Sequence, residues 1–292
     1  MKADTEILWA RRSVLAAAGT LAVSTAPAMA GAPRAARLAE IEARVKGRLG
    51  VFAMRDDGSI LAAYRADERF PMASTFKMLL AAAVLNRVDR GEERLDRRLA
   101  YGPADILSTS PVTSASVGKG RLDVATLCGA VLERSDNTAA NLLLKSVGGP
   151  PGLTRYARSL GDTVTRLDRK EMELNTAIPG DPRDTTSPRA MAHTVQQLVL
   201  GDRLSTSSRA RLKQGMLGSQ TGLTLLRAGV PGTWRVGDKT GRGGHGSTNN
   251  IAVLWPPNSP PIVAAVYLTQ SAAPVAEREA AIADVGRVIS RG

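Results

Sequence analysis

The chain has 292 residues, of which 43% are hydrophobic, so it can bury a full core as one large domain or two interlocked ones. Its formal net charge of +12 permits an anionic partner, but the basic residues are scattered and only 3% of the chain is aromatic. This composition argues against a stacking platform for single-stranded nucleic acid, and we expect a basic solvated surface with no nucleic-acid partner.

The scarcity of histidine and cysteine narrows the possible chemistry. The two histidines, His193 and His245, exclude a multi-histidine metal site and disfavour a Ser-His-Asp triad. The one cysteine, Cys128, excludes an intramolecular disulfide and is expected to be a buried thiol. We expect no metal and no cofactor, so lysine and carboxylate side chains are left to move protons.

Residues 1–30 have the pattern of an export signal. Arg11-Arg12 precedes an apolar stretch from Val14 to Val23, and Ala28-Met29-Ala30 is typical of a small-residue cleavage site. The paired arginines resemble a twin-arginine signal, and the general secretory route stays open as the alternative. The apolar run is too short to span a bilayer. We therefore expect a periplasmic or secreted protein, cleaved after about Ala30 and not inserted in the membrane.

In chain order, the hydrophobic pattern predicts one sheet assembled from both ends of the chain. A helix is predicted over 36–48, and the apolar runs 51–54 and 60–64 around Asp57-Gly58 predict a β-hairpin. Further helices are predicted over 74–90, 122–133, 138–146, 153–160, 188–200 and 206–216, with a long polar loop at 161–187. Strands follow over 234–237, 250–255 and 262–268, and a closing helix runs from about Pro274 to Ile289. This order indicates a sheet with an inserted helical domain.

The most informative segment is Ser74-Thr75-Phe76-Lys77, which opens the apolar run 78–85. Such a run predicts a helix buried on all sides. Lys77 would share a face with Ser74, and burial would lower the pKa of the lysine so that it could accept the proton of the serine. The alternative is an N-cap serine followed by a surface lysine, which the apolar surroundings argue against.

Two further motifs lie at element boundaries. Ser135-Asp136-Asn137 starts a predicted helix and could be an ordinary polar cap, and Lys239-Thr240-Gly241 ends a predicted strand and could be an edge turn. In the order Ser-x-x-Lys, Ser-Asp-Asn, Lys-Thr-Gly, the motifs resemble the signature of class A β-lactamases and penicillin-binding proteins. The loop 166–184, with Glu171 and Asn175, resembles the omega loop of class A β-lactamases.

This resemblance, which covers about 36–291, implies a fold, a domain division and an activity. The fold would be α/β, with a five-stranded antiparallel sheet flanked by helices, an inserted all-helical domain, and the active site in the cleft between them. Residues 31–73 and 222–292 would form the α/β domain, and 74–221 the all-α domain. The activity would be hydrolysis of the cyclic amide of small-molecule β-lactam antibiotics, which confers resistance. We expect a monomer.

The resemblance also implies the two chemical steps. Ser74 would attack the lactam carbonyl and form an acyl-enzyme. Whether Lys77, or Glu171 acting through a water, is the base for that attack stays open. Glu171 would then activate the water that hydrolyses the ester, and Asn175 would help to hold that water.

Proton relay and charge stabilisation are implied in the same way. Ser135 would relay a proton to the lactam nitrogen, assisted by Lys77 and Lys239. The backbone N–H groups of Ser74 and Arg242 would form the oxyanion hole.

Lys239 and Thr240 would receive the carboxylate of the substrate. The substrate-binding set would be Asn137, Asn175, Thr240, Gly241 and Arg242. Arg169 and Asp184 would bridge the neck of the omega loop and so hold Glu171 in place.

The sequence departs from the family pattern at several positions. Arg242 replaces a small or hydroxylated residue, and it could bind the substrate carboxylate or point outward and crowd bulky substrates. Thr248 stands where many members carry an arginine for that carboxylate, which leaves Arg242 or Arg278 as its replacement. Met172 follows Glu171 where many relatives carry proline, so the sequence does not decide whether the Glu171-Met172 peptide bond is cis. Thr109 lies where an aromatic gate residue is common. Cys128 matches half of a disulfide whose partner position is filled by Ala81.

Two alternative functions share much of this site. A peptidoglycan DD-peptidase would use Ser74, Lys77, Ser135 and Lys239 but would lack a deacylating glutamate. A β-lactam sensor would acylate and stay acylated. Glu171 argues against both interpretations.

Overall fold

The computed structural model describes residues 32–291, so the export signal predicted at 1–30 lies outside the described residues. Five strands form one antiparallel sheet in the order β2-β1-β9-β8-β7, which confirms the predicted sheet. The strands are β1 Arg48–Arg55, β2 Ile60–Tyr64, β3 Phe70–Pro71, β4 Arg98–Ala100, β5 Arg121–Asp123, β6 Thr185–Thr186, β7 Arg235–Arg242, β8 Thr248–Trp255 and β9 Ile262–Thr269.

The helices lie before, between and after these strands. They are α1 Ala32–Val45, α2 Phe76–Asp89, α3 Pro111–Ala115, α4 Val124–Glu133, α5 Asn137–Ser146, α6 Gly149–Ser159, α7 Pro188–Val199, α8 Thr206–Leu217, α9 Leu226–Gly229 and α10 Val275–Ser290. No helix in the stretch 32–291 is long and apolar enough to cross a membrane.

The sheet is buried on both faces because its strands alternate between two apolar clusters. Val51 and Ala53 of β1 pack in the cluster that contains α1 and α10, whereas Phe52 and Met54 pack in the cluster that contains the inserted helices. This alternation is the period of two that a strand imposes on its side chains. Burying each large apolar side chain contributes about 1.5–3 kcal/mol, so both helical layers are held firmly against the sheet.

Helix α2 lies in the centre of the helical layer. Every residue from Phe76 to Leu85 is buried, and α2 packs against α4, α5 and α8. The prediction of a helix buried on all sides is therefore confirmed, and it carries Lys77 into the interior. Ser74 differs from the prediction, because it lies in a short 3-10 turn, Ala73–Thr75, that precedes α2.

Other differences concern boundaries and short strands. The sequence places Lys239-Thr240-Gly241 at the end of a strand over 234–237, but these residues lie within the longer strand β7. The two-residue strands β3 and β6 were not predicted. They pair Phe70 with Thr186 and so fasten the end of the long loop to the segment before Ser74. Two-residue strands carry no periodicity that a sequence pattern could reveal.

Candidate active site

Ser74 and Lys77 lie one turn apart where the chain enters α2. The Lys77 ammonium donates a hydrogen bond to Ser74 Oγ, and the two atoms are 3.0 Å apart. Glu171 Oε1 lies 2.8 Å from Lys77 Nζ and 3.4 Å from Ser74 Oγ. The hydroxyl, the amine and the carboxylate that the sequence singled out therefore meet at one point.

Lys77 is fully buried and surrounded by hydrogen-bond acceptors. Its ammonium also donates to the Ser135 carbonyl at 2.8 Å and to Asn137 Oδ1 at 2.5 Å. Burial lowers the pKa of Lys77, while the adjacent Glu171 carboxylate opposes that shift by favouring the charged form. Lys77 can therefore exchange a proton with Ser74 more readily than an exposed lysine could.

Ser135 connects Lys77 with a second buried lysine, Lys239 on β7. The Ser135 hydroxyl accepts a hydrogen bond from Lys239 Nζ at 3.0 Å and lies 3.4 Å from Lys77 Nζ. Burial, together with repulsion from Lys77, lowers the pKa of Lys239 to about 7. The hydroxyl thus stands between two amines with lowered pKa values, an arrangement suited to proton relay.

Two asparagines hold Glu171, one of which sequence reasoning missed. Asn175 Nδ2 donates to Glu171 Oε2 at 2.6 Å. Asn141 on α5 grips the backbone of the glutamate from both sides: its Nδ2 donates to the Glu171 carbonyl at 2.8 Å, and its Oδ1 accepts from the Glu171 N–H at 3.0 Å. Asn141 lies one turn after Asn137 on the same helix face, which is the signal that could have found it. The Glu171–Met172 peptide is cis.

The neck of the long loop is closed by Asp184. This carboxylate is fully buried and accepts hydrogen bonds from the backbone N–H groups of Asp168 and Arg169 at 2.7 and 2.9 Å. Arg169 Nε donates to its second oxygen at 2.6 Å. The structure therefore brings together the two residues expected to bridge the loop.

Strand β7 passes very close to the nucleophile. A Cβ added to Gly241 would lie 2.7 Å from the Met72 carbonyl oxygen and 3.2 Å from the Ser74 nitrogen, so glycine permits this approach. Asn249 on the neighbouring strand fixes the same turn, because its Nδ2 donates to the Met72 carbonyl at 3.0 Å. As a result, the backbone of Ser74 and the end of β7 form one wall.

A cleft of about 390 Å³ opens onto Ser74. Its walls include Ser135, Asn137, Asn175, Thr240, Gly241 and Arg242. Thr221 was not predicted from sequence; its hydroxyl lies 2.7 Å from Thr240 Oγ1. Thr109 and Met172 also line the cleft, and the Ser108 hydroxyl contacts the Met172 sulfur at 2.8 Å.

Asp136, between Ser135 and Asn137, has the capping role that the sequence offered as the alternative interpretation of this motif. It is fully buried and caps α5 by accepting from the Ala139 N–H at 2.9 Å. It also accepts from the Thr113 N–H at 2.9 Å, which ties the cap to α3. Asp136 thus fixes the turn that presents Ser135 and Asn137 to the cleft.

The departures from the family pattern occupy distinct places. Arg242 lines the cleft and forms an ion pair with Glu279 of α10. Thr248, opposite Arg242 in the sheet, is fully buried, and its hydroxyl has no partner within residues 32–291. Arg278 does not line this cleft in the described part of the chain, so Arg242 is the better placed of the two arginines to meet a substrate carboxylate. Cys128 is buried in α4, which raises the pKa of its thiol to about 12.

Comparison with known proteins agrees with this geometry. Residues 33–291 match the model of the β-lactamase enzyme family. The chain is 45% identical over 279 residues to β-lactamase L2 of Stenotrophomonas maltophilia, covering 95% of this chain and 92% of the relative. It is 41% identical over 285 residues to β-lactamase OXY-2 of Klebsiella oxytoca, covering 97% and 98%.

A solved structure is similar across most of the fold. The class A β-lactamase of the last common ancestor of Gram-negative bacteria superposes with a TM-score of 0.86 and is 57% identical, covering 88% of this chain and 97% of that one. The chain therefore belongs to the class A β-lactamases. It is a serine β-lactam hydrolase, an activity that confers antibiotic resistance.

Proposed function

We propose that the chain hydrolyses β-lactams by a double displacement in which Ser74 carries the acyl group and Glu171 drives its release. In the first half of the reaction, which is acylation, Ser74 Oγ bonds to the lactam carbonyl carbon and the C–N bond of the ring breaks. The hydroxyl proton leaves to Lys77 or, through a water, to Glu171. Ser135 passes a proton to the departing nitrogen, so that the ring opens without an unstable amide anion.

The second half is hydrolysis of the ester on Ser74. Glu171 takes a proton from a water that attacks the ester carbonyl, the bond between that carbon and Ser74 Oγ breaks, and Glu171 returns the proton to Ser74 Oγ through Lys77, which contacts both groups. Asn175 can help to hold that water, because its Oδ1 is a buried acceptor with no hydrogen-bond partner within residues 32–291. Its Nδ2 holds Glu171 at the same time.

Substrate binding combines an oxyanion hole with a cationic strand. The backbone N–H groups of Ser74 and Arg242 would stabilise the developing oxyanion, where removal of one donor typically costs about 10²–10³ in rate. Lys239, Thr240 and the Arg242 guanidinium would receive the substrate carboxylate, with Asn137 and Gly241 completing the binding surface.

The observation that carries this proposal is the short distance between the Glu171 carboxylate and the Ser74 hydroxyl. Its carboxylate lies 3.4 Å from Ser74 Oγ, fixed by Asn175 and Asn141, which supplies the deacylating base that a peptidase or a sensor would lack. Such a base contributes about 10²–10⁴ in rate.

Turnover of a chromogenic cephalosporin tests the proposal. Purified protein mixed with a large excess of substrate should hydrolyse all of it at a steady rate. A single burst equal to the enzyme concentration would contradict the proposal and favour a sensor. Cleavage of a D-Ala-D-Ala peptide with no cephalosporin turnover would favour a peptidase.

Organisation and location follow from the same interpretation. We propose that 31–73 and 222–292 form the α/β domain and 74–221 the helical domain, since the strands of the main sheet come from both ends of the chain. The Arg11-Arg12 pattern supports export to the periplasm or medium. We propose that the enzyme acts as a monomer.

A further inference from the structure

Arg242 places a positive charge at the mouth of the cleft. It is the last residue of β7, directly after Gly241, and 49% of its side chain is exposed. Opposite Arg242 in the sheet lies the neutral and fully buried Thr248. Within residues 32–291, Arg134 is the other arginine that lines the cleft, and it lies beside Ser135. Arg242 is therefore the arginine closest in sequence and strand position to Thr240.

The guanidinium of Arg242 is already engaged by an internal carboxylate. Glu279 on α10 forms an ion pair with it, and only 14% of the Glu279 side chain is exposed. The second oxygen of Glu279 accepts a hydrogen bond from the Thr224 hydroxyl at 2.7 Å, which fixes the carboxylate in place. Glu279 does not itself line the cleft within the described residues, so it reaches the cleft through Arg242.

In this arrangement two carboxylates could pair with the Arg242 guanidinium: that of Glu279 and that of the substrate. The carboxylate of a substrate seated on Lys239 and Thr240 would approach the same edge of β7 to which Arg242 belongs. A guanidinium has several donors but one positive charge, and a pre-existing ion pair must weaken or rearrange when a second carboxylate arrives.

We propose that Glu279 is a specificity-determining residue: it competes with the substrate carboxylate for Arg242 and thereby sets the affinity for carboxylate-bearing β-lactams. This inference rests on the proposed function, in which Arg242 faces that carboxylate. Glu279 is not among the described residues that line the cleft and contacts the cleft wall at Arg242, so its effect is transmitted through Arg242.

The test compares a penicillin with its neutral methyl ester as substrates of the full-length enzyme and of Glu279→Gln. Glutamine keeps the shape and the hydrogen bond from Thr224 but removes the competing charge. The KM for the acid should fall about two- to fivefold, the range of an ion pair of this exposure. The kcat for the acid and both constants for the ester should stay unchanged.

Glu92→Gln is the matched control. Glu92 forms an ion pair with Arg87 at 3.1 Å beyond the far end of α2, and its side chain is 34% exposed. This variant should leave the acid-to-ester ratio of KM at its original value. A melting curve for each variant shows whether the fold is retained.

A double-mutant cycle with Arg242→Ser separates competition from plain repulsion. If Glu279 acts through Arg242, Glu279→Gln should not lower the KM for the acid in the Arg242→Ser background. An equal gain in both backgrounds, an unchanged acid KM or a raised acid KM would each overturn the inference. If the unmodified enzyme turned over neither substrate, the proposed function itself would fail.

Discussion

Replacing Glu171 by glutamine should separate the two halves of the reaction. Glutamine preserves the size of the side chain and an oxygen that can accept from Asn175, but it cannot take a proton from water. Loss of a positioned general base costs about 10²–10⁴ in rate, which corresponds to about 3–5 kcal/mol of activation free energy. The variant removes one partner of the Lys77–Glu171 ion pair. Because burial already lowers the pKa of Lys77, that lysine can lose its proton instead of remaining an uncompensated buried charge.

The assay is intact-protein mass spectrometry after brief exposure to a penicillin. Glu171→Gln should gain the mass of one substrate molecule and keep it, whereas the unmodified enzyme should return to its original mass. Glu173→Gln is the matched control, since this exposed glutamate lies two residues further along the same loop and should not change turnover. An unmodified mass for Glu171→Gln, or full turnover by it, would refute the assigned role.

Three further predictions concern the surroundings of the nucleophile. Asn141→Ala removes both hydrogen bonds to the Glu171 backbone and should lower the melting temperature and prolong the acyl-enzyme; a normal melt with no lasting adduct would contradict this. Gly241→Ala places a Cβ 2.7 Å from the Met72 carbonyl oxygen. It should lower the free energy of unfolding, measured by urea titration, by about 1–3 kcal/mol, and it should also lower kcat/KM. Unchanged values would show that the strand can shift freely. Lys239, with a pKa of about 7, carries its charge below that pH and loses it above, so the KM of a carboxylate substrate should rise with pH while that of its methyl ester stays level; equal profiles would remove Lys239 from carboxylate binding.

Local patterns were sufficient for much of the fold. The apolar run after Ser74 predicted a buried helix, and Lys77 is indeed fully buried, because a helix without a polar face can only lie in the interior. Asp57-Gly58 between two apolar runs predicted the hairpin of β1 and β2, which the structure confirms. Both predictions rest on residues close in sequence, where periodicity and turn chemistry determine the structure.

The site was predicted only as far as its motifs reached. Ser74, Lys77, Ser135, Glu171 and Lys239 are brought together by the fold, and their catalytic roles stay predictions. Asn141 lies outside every motif, and it is important because the long loop folds back onto α5 across 30 positions of sequence. The partner of Arg242, Glu279, lies 37 positions away on α10. The spacing of Asn141 from Asn137 could have placed it on the same helix face, but no local period encodes which distant residue such a side chain contacts.

The most direct test of the central claim is a crystal structure of Glu171→Gln soaked with a penicillin. We expect continuous density from Ser74 Oγ to the opened lactam, with the ester carbonyl oxygen between the backbone N–H groups of Ser74 and Arg242. An acyl group attached to any other residue, or a carbonyl oxygen turned away from those two groups, would contradict the account.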